Sequence, residues 1–242
     1  MRKFYCLFII VILFLSGCLS TLPPSTDPNP TPSPGSKNVT ITGFVKDSSS
    51  GLDLWDGKVT IADRSTSIKN GTFSIQDIEP GTYTLTITRM FYKPLQKKVV
   101  VSRFDTTINE EMSPIFTPGE IDLFARLVHA EAKGETYKGQ VAVAATVLNR
   151  VAHPDYPNTL SGVINQVVVS GGKKYYQYEP VLNGSIKTPA DTNAKNAVAD
   201  ALAGWDPSLK ATGFFAPAKV GTSSWVWSRT PTVTIGNHRF FR

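Results

Sequence analysis

Glu131 occupies a position that a surface carboxylate has no reason to take. It follows Phe124, Leu127 and Val128 by seven, four and three residues, so on a helix it shares their apolar stripe. A carboxylate among apolar neighbours is costly unless paired, and the usual response is a pKa raised until the group keeps its proton near neutrality. A proton donor of that kind is what cleavage of a glycosidic bond demands at the leaving oxygen. Spacing alone favours a different explanation, an ion pair with Arg126 or Arg150, because structural pairs also perturb carboxyl groups. Glu135 is the one acidic near neighbour, four residues on and across Gly134. Its place suits a cap on the following helix as well as a seat in a cleft.

A sugar cleft around such an acid needs amides and hydroxyls for hydrogen bonding and aromatic faces for stacking. Gln177 and Tyr178, at the end of the Gly-, Lys- and Tyr-rich stretch 171–178, suit that role, and an ordinary surface loop would look the same. Trp225 and Trp227 alternate along a short segment that reads as a strand, which turns one toward a cleft and the other inward. Asn237 and His238 suit the cleft too, although a lone histidine more often serves as a structural donor. His129, His153 and His238 show no ligand spacing, so no metal and no cofactor is expected, and zinc peptidase or amidase chemistry is set aside.

The elements that must hold these residues are legible from period and punctuation. Thr117-Pro118-Gly119-Glu120 starts the helix that carries Glu131: Thr117 caps the first turn, Pro118 suits the first helical position and Glu120 closes a capping box. Gly134 ends it. A second helix is expected over 137–151, with Val141, Ala144, Ala145 and Leu148 on one face, and shorter ones over 160–167 and 190–203. Before Thr117 the period changes. Val39, Ile41 and Val45 alternate with polar residues, as do Val59-Thr60-Ile61 and Tyr83-Thr84-Leu85-Thr86-Ile87, the pattern of half-buried strands. Asn70-Gly71, between Ser67-Ile68 and Phe73-Ser74-Ile75, marks a tight hairpin, Pro80-Gly81 a second turn and 99–101 a last strand. The expectation is therefore an α+β chain, with a small antiparallel β-sandwich over 38–116 followed by a mainly α domain over 117–242. From Gly43-Phe44-Val45 to Ile78-Glu79-Pro80-Gly81-Thr82-Tyr83 the first part resembles carboxypeptidase-regulatory-like or transthyretin-like modules, which implies a spacer or adhesion element without chemistry.

At the start of the chain, Arg2-Lys3 precede a nearly unbroken apolar run over 4–15. The run is too short for a membrane span of ~20 residues and closes on small residues, as a cleavable export signal does. Leu15-Ser16-Gly17-Cys18 resembles a bacterial lipobox, which implies removal of 1–17, a diacylglycerol on the Cys18 sulfur and anchoring in a membrane. Cys6 leaves with the signal, so neither a disulfide nor a thiol nucleophile is expected. Within 18–37 lie Pro23, Pro24, Pro28, Pro30, Pro32 and Pro34 with almost no apolar side chain. Such a stretch cannot build a core, and at ~3.1 Å per residue it makes a tether. The formal net charge is +6, and outside the signal the excess lies in 117–242, with 13 basic against 9 acidic side chains. They are scattered, without the basic and aromatic runs of a nucleic-acid groove, so no nucleic-acid partner is expected.

Taken in order, Phe124-Ala125-Arg126-Leu127-Val128-His129-Ala130-Glu131-Ala132-Lys133-Gly134-Glu135, Gly139-Gln140-Val141-Ala142-Val143-Ala144 and Leu148-Asn149-Arg150-Val151 open a series of motifs. It continues through Gln177-Tyr178-Glu179-Pro180-Val181, Ala203-Gly204-Trp205-Asp206-Pro207, Ala216-Pro217-Ala218-Lys219, Trp227-Ser228-Arg229 and Ile235-Gly236-Asn237-His238. This series, over about 120–241, resembles the SleB-type cell-wall hydrolases of the spore-cortex-lytic family. The resemblance implies a lysozyme-like fold, peptidoglycan as partner and Glu131 as catalytic acid, the first Glu of a Glu-Ala-Arg-Gly-Glu motif in which Lys133 stands for Arg. Many members carry Asn where Ala216 stands, so a sugar contact made there is lost. Glu135, Gln177, Tyr178, Trp227, Asn237 and His238 are the expected substrate-binding residues. Hydrolysis uses a second carboxyl about 5–10 Å from the first, and none beyond Glu135 is visible near Glu131. A lytic transglycosylase needs one acid only. That route, which cuts between N-acetylmuramic acid and N-acetylglucosamine and leaves 1,6-anhydromuramic ends, is what the resemblance implies. A hydrolytic muramidase and a non-catalytic wall-binding lipoprotein are the alternatives. The expected setting is a monomer held through Cys18 on the outer face of the cytoplasmic membrane, or on the outer membrane of a cell that has two.

Overall fold

The computed structural model describes residues 38–242. The expected signal over 1–17, Cys18 and the tether over 18–37 lie outside the described residues. Among the described residues no helix is long and apolar enough to cross a membrane.

Strands come first: β1 (Val39–Asp47), β2 (Lys58–Ile61), β3 (Arg64–Ser67), β4 (Thr72–Ile78), β5 (Gly81–Thr88), β6 (Leu95–Val101), β7 (Thr106–Thr107) and β8 (Glu110–Met112). β1 alternates as its sequence demands, with Val39, Ile41 and Val45 buried and Thr42 and Phe44 turned outward. One sheet runs β4-β1-β7, with β8 also on β1, and the other β3-β2-β5-β6. β7 and β8 lie parallel to β1, whereas the remaining pairs are antiparallel. Ile41, Leu54, Ile61, Ile78, Leu85 and Ile87 form the heart of a core between them. Asn70 and Gly71 do form a tight turn, both at positive φ, with Lys69 N donating to Thr72 O at 2.8 Å. The expected hairpin is corrected, however: β3 joins β2 while β4 joins β1. Ile68 and Phe73 on either side are both buried, so the turn carries the chain from one sheet to the other around the core.

The second part holds α1 (Pro118–Ala132), α2 (Tyr137–Ala152), α3 (Leu160–Ile164), β9 (Val167–Ser170), β10 (Lys173–Tyr176), α4 (Glu179–Asn183), α5 (Thr192–Ala203), β11 (Gly213–Phe215), β12 (Pro231–Ile235) and β13 (His238–Phe241). The capping box at α1 is present: Thr117 Oγ1 accepts from Glu120 N at 3.3 Å, and Glu120 Oε2 accepts from Thr117 N at 2.8 Å. α2 is buried almost all round and packs against α1 and α5 in a second core. Three expectations are corrected here. The helix over 160–167 stops at Ile164, and β9 and β10 form an antiparallel ribbon about Gly171-Gly172 where a loop was expected. All its strand residues are exposed, so no buried face imposes an alternation that sequence could reveal. The Trp225 segment is a 3-10 turn, Trp225–Ser228, closed by Trp227 Nε1 donating to Gly221 O at 3.1 Å.

The two cores meet at the end of α5, where Ala203 packs into the core between the sheets. Trp55 N donates to Ala203 O at 2.9 Å, and Arg89 Nη1 to Leu202 O at 2.7 Å, so the last carbonyls of the helix are satisfied from the β region. The Trp55 and Trp205 rings stack at 6.3 Å. Gly204 stands at φ +124°, and a Cβ there would lie 2.8 Å from Trp55 Cβ and 2.9 Å from Arg89 Nη2. Only glycine fits both the dihedral and the space.

Candidate active site

Glu131 sits in the last turn of α1, half-buried, one turn beyond the fully buried Leu127 and Val128. Neither arginine forms an ion pair with it. Arg126 turns to Asp122 at 2.7 Å, and Arg150 gives its Nε–H to the Thr212 carbonyl at 2.6 Å. The Arg150 guanidinium lies between the rings of Tyr156 and Tyr178, 5.2 and 5.1 Å from their centroids. Burial, and then the negative charge of Glu179, push the Glu131 carboxyl up to about 7 against the opposing pull of Arg150. It is a carboxylic acid able to give a proton near neutrality, as general acid catalysis requires.

Two adjoining cavities, of about 360 and 480 Å³, meet at Glu131 and share Ala130, Ala216, Lys219 and His238 on their walls. Together they make one cleft that passes the carboxyl. Lys133, Gly134, Glu135, Ala218 and Asn237 complete the first cavity; Glu179, Pro180, Asn183 and Phe214 border the second.

Glu135 does not cap α2, because Thr136 does, through Oγ1 accepting from Gly139 N at 3.3 Å. Its carboxylate accepts instead from Asn237 N at 2.9 Å and Asn237 Nδ2 at 3.0 Å, which clamps the turn between β12 and β13. Burial works the other way, but these bonds, with the nearby His238 and Lys219, hold Glu135 below the usual carboxylate range. Gly236, at φ +58°, allows the approach: a Cβ there would stand 2.1 Å from Glu135 Oε2. His238 is buried with its ring 5.0 Å from that of Phe214, and burial holds it below its ordinary value, so it is neutral at pH 7. Its Nδ1 has no partner within the protein, which leaves a ring nitrogen for a polar ligand.

The other expected contacts lie off the cleft wall. Tyr178 is buried against Arg150, its hydroxyl without a partner and pushed up to about 12 by burial. Gln177 is half-buried, and its N–H donates to Gln166 O at 3.0 Å, closing the base of the β9–β10 ribbon. Trp227 borders neither cavity; its ring meets Phe215 edge-on at 4.9 Å, with Arg239 5.2 Å above it. Trp225 is exposed, with Arg229 5.0 Å over its ring. The fold thus brings Glu135, Asn237 and His238 to Glu131, and gives Gln177, Tyr178 and Trp227 positions within the packing around it.

Glu179 and Lys219 belong to the cleft although spacing near Glu131 does not point to them. No acid beyond Glu135 is visible near Glu131 in the sequence, and the structure brings one up: Glu179 opens α4 and shares the larger cavity with it. Both residues stand inside the ordered motifs, which was the available signal. What hides Glu179 is its separation along the chain, closed only where α4 packs on α1. Ala216 does border both cavities, so an Asn there would reach a ligand that a methyl group cannot hold.

Residues 134–241 match the family model described as Cell Wall Hydrolase, a stretch that begins just after Glu131. Over 125 residues the chain is 40% identical to the spore cortex-lytic enzyme of Bacillus subtilis (strain 168), covering 52% of this chain and 38% of that protein. It is 41% identical over 125 residues to the spore cortex-lytic enzyme of Bacillus cereus, covering 52% and 45%. The chain spans less than half the length of the curated relatives it matches. Among solved structures, the catalytic domain of the germination-specific lytic transglycosylase SleB from Bacillus anthracis is 39% identical, covers 53% of this chain and 98% of that one, and has a TM-score of 0.46.

Proposed function

Starting from a chain that carries a SleB-type cell-wall-hydrolase domain at its C-terminal end, we propose that it cleaves peptidoglycan glycan strands between N-acetylmuramic acid and N-acetylglucosamine as a lytic transglycosylase. The observation that carries this reading is Glu131, half-buried and protonated near neutrality where two cavities meet. Its proton passes to the glycosidic oxygen, the bond from C1 to that oxygen breaks, and the electron pair leaves with the new 4-hydroxyl. The Glu131 carboxylate then takes the proton of the muramic 6-hydroxyl as that oxygen bonds to C1. A 1,6-anhydro end results, no water is consumed, and Glu131 is protonated again. His238 and Lys219 contact the sugar from the shared walls, and Glu135 holds Asn237 and the turn in place. Lipidation of Cys18 anchors the enzyme, and the Pro-rich tether gives it reach into the wall.

Glu179 on the same cavity favours one second reading, hydrolysis, in which a second carboxylate attacks C1 or activates water. Digestion of purified vegetative peptidoglycan and of spore cortex, with mass spectrometry of the products, separates the two. Anhydromuramic ends are expected; reducing ends would establish a muramidase. Glu131→Gln should lower cleavage by at least about 10²-fold while the chain stays folded. Wild-type rates in that variant would remove Glu131 from the chemistry.

A further inference from the structure

The acidic residues of 117–242 are nearly all occupied. Six of the nine have a hydrogen bond or an ion pair, among them Glu135 with Asn237, Asp206 with Ser208 and Asp200 with Tyr137, and Asp155 lies 3.8 Å from the His153 ring. The two without a partner among the described residues are Glu131 and Glu179, and both border the same 480 Å³ cavity. An unpaired carboxylate beside a second one is electrostatically unfavourable, so a fold that only needed stability would separate or neutralise them. At a bond-breaking centre the arrangement has a use, because the sugar becomes cationic as its leaving group departs.

We propose that Glu179 is a second carboxylate of the active site, which places a negative charge beside the reacting sugar to stabilise the developing cation, and acts as a charge and not as nucleophile or base. The inference rests on the glycan-cleavage reading and deepens it. Fixed charge aimed at where charge develops is among the largest contributions an enzyme makes. The same charge opposes ionisation of Glu131, so the acid keeps its proton until the glycosidic oxygen takes it. The other charged or titratable groups around Glu131 are Arg150 from α2, Tyr178 beside α4, Lys133 at the end of α1, Glu135 before α2, His238 on β13 and Lys219. Arg150 pulls the opposite way, and Glu179 outweighs it.

The test uses the purified full chain on soluble glycan strands. Glu179→Gln should cut kcat roughly ten- to hundredfold with KM changed less than about threefold. It should also move the alkaline limb of the pH profile to lower pH, since Glu131 without its like-charged neighbour gives up its proton more readily. Glu179→Asp, which keeps the charge, should leave that limb in place, and the products should keep their anhydro ends in both variants. A Gln variant within twofold of wild type overturns the proposal, as does a slowed variant whose limb has not moved. If the Gln variant does not fold, Glu179→Ser at this exposed position is read on the same two measures. A wild-type protein that leaves peptidoglycan intact defeats the glycan-cleavage reading itself and this inference with it, whereas normal cleavage with an indifferent Glu179 defeats the inference alone.

Discussion

Burial of Glu131 costs the fold stability once the carboxyl loses its proton. Its carboxyl is raised from 4.5 to about 7, so the native chain binds the proton more tightly than the unfolded chain. Stability therefore falls as pH rises from about 4.5 to about 7, and the full penalty is carried above that range. Glu131→Gln removes the ionised form, and urea unfolding at pH 8 should show a gain on the order of 1–2 kcal/mol, discounted for partial exposure, that vanishes at pH 4. An equal change at both pH values would place the effect in packing. On the proposed mechanism the same proton governs the rate, which should fall about tenfold per unit once pH exceeds about 7. Glu131 is legible in sequence because three apolar residues at helical spacing draw its face. Glu179 is not, because a helix of five residues is too short to show a period, and its nearness to Glu131 exists only once α4 is packed.

Among the elements, the β12–β13 turn is held from outside its own sheet, by the carboxylate of Glu135. Gly236→Ala forces a methyl group into that carboxylate at a positive φ, and should cost about 2 kcal/mol in denaturant unfolding. His238 follows the turn and borders both cavities, so the folded fraction should also bind glycan less well, seen as a raised KM. Unchanged stability and KM would show the clamp to be idle. The helices here are readable because α1 buries a periodic face and α2 a long apolar run against a common core. The β9–β10 ribbon buries neither face, and the two tryptophans of the 3-10 turn mimic strand spacing over too few residues to distinguish the two.

At the scale of the whole described chain, the β region and the helical region share a junction that neither period reveals. Trp55 lies in a connecting segment, between β1 and β2, and nothing in its surroundings marks it as the partner of Trp205. Trp55→Ala removes the stack while keeping the main-chain bond to Ala203, and should lower stability by about 1–2 kcal/mol, the ring being partly exposed. Calorimetry should show one transition for the wild type and two for the variant; a single transition at the wild-type temperature in the variant would mean the regions are coupled elsewhere.

The end of α5 has a consequence for the order in which the chain is made. Its last carbonyls are met by Trp55 and Arg89, residues that leave the ribosome, and enter any export channel, well before the helix they terminate. Vectorial synthesis thus presents α5 with its stopping contacts already in place. A circular permutant beginning at residue 117 would have to finish that helix while its partner was still unmade.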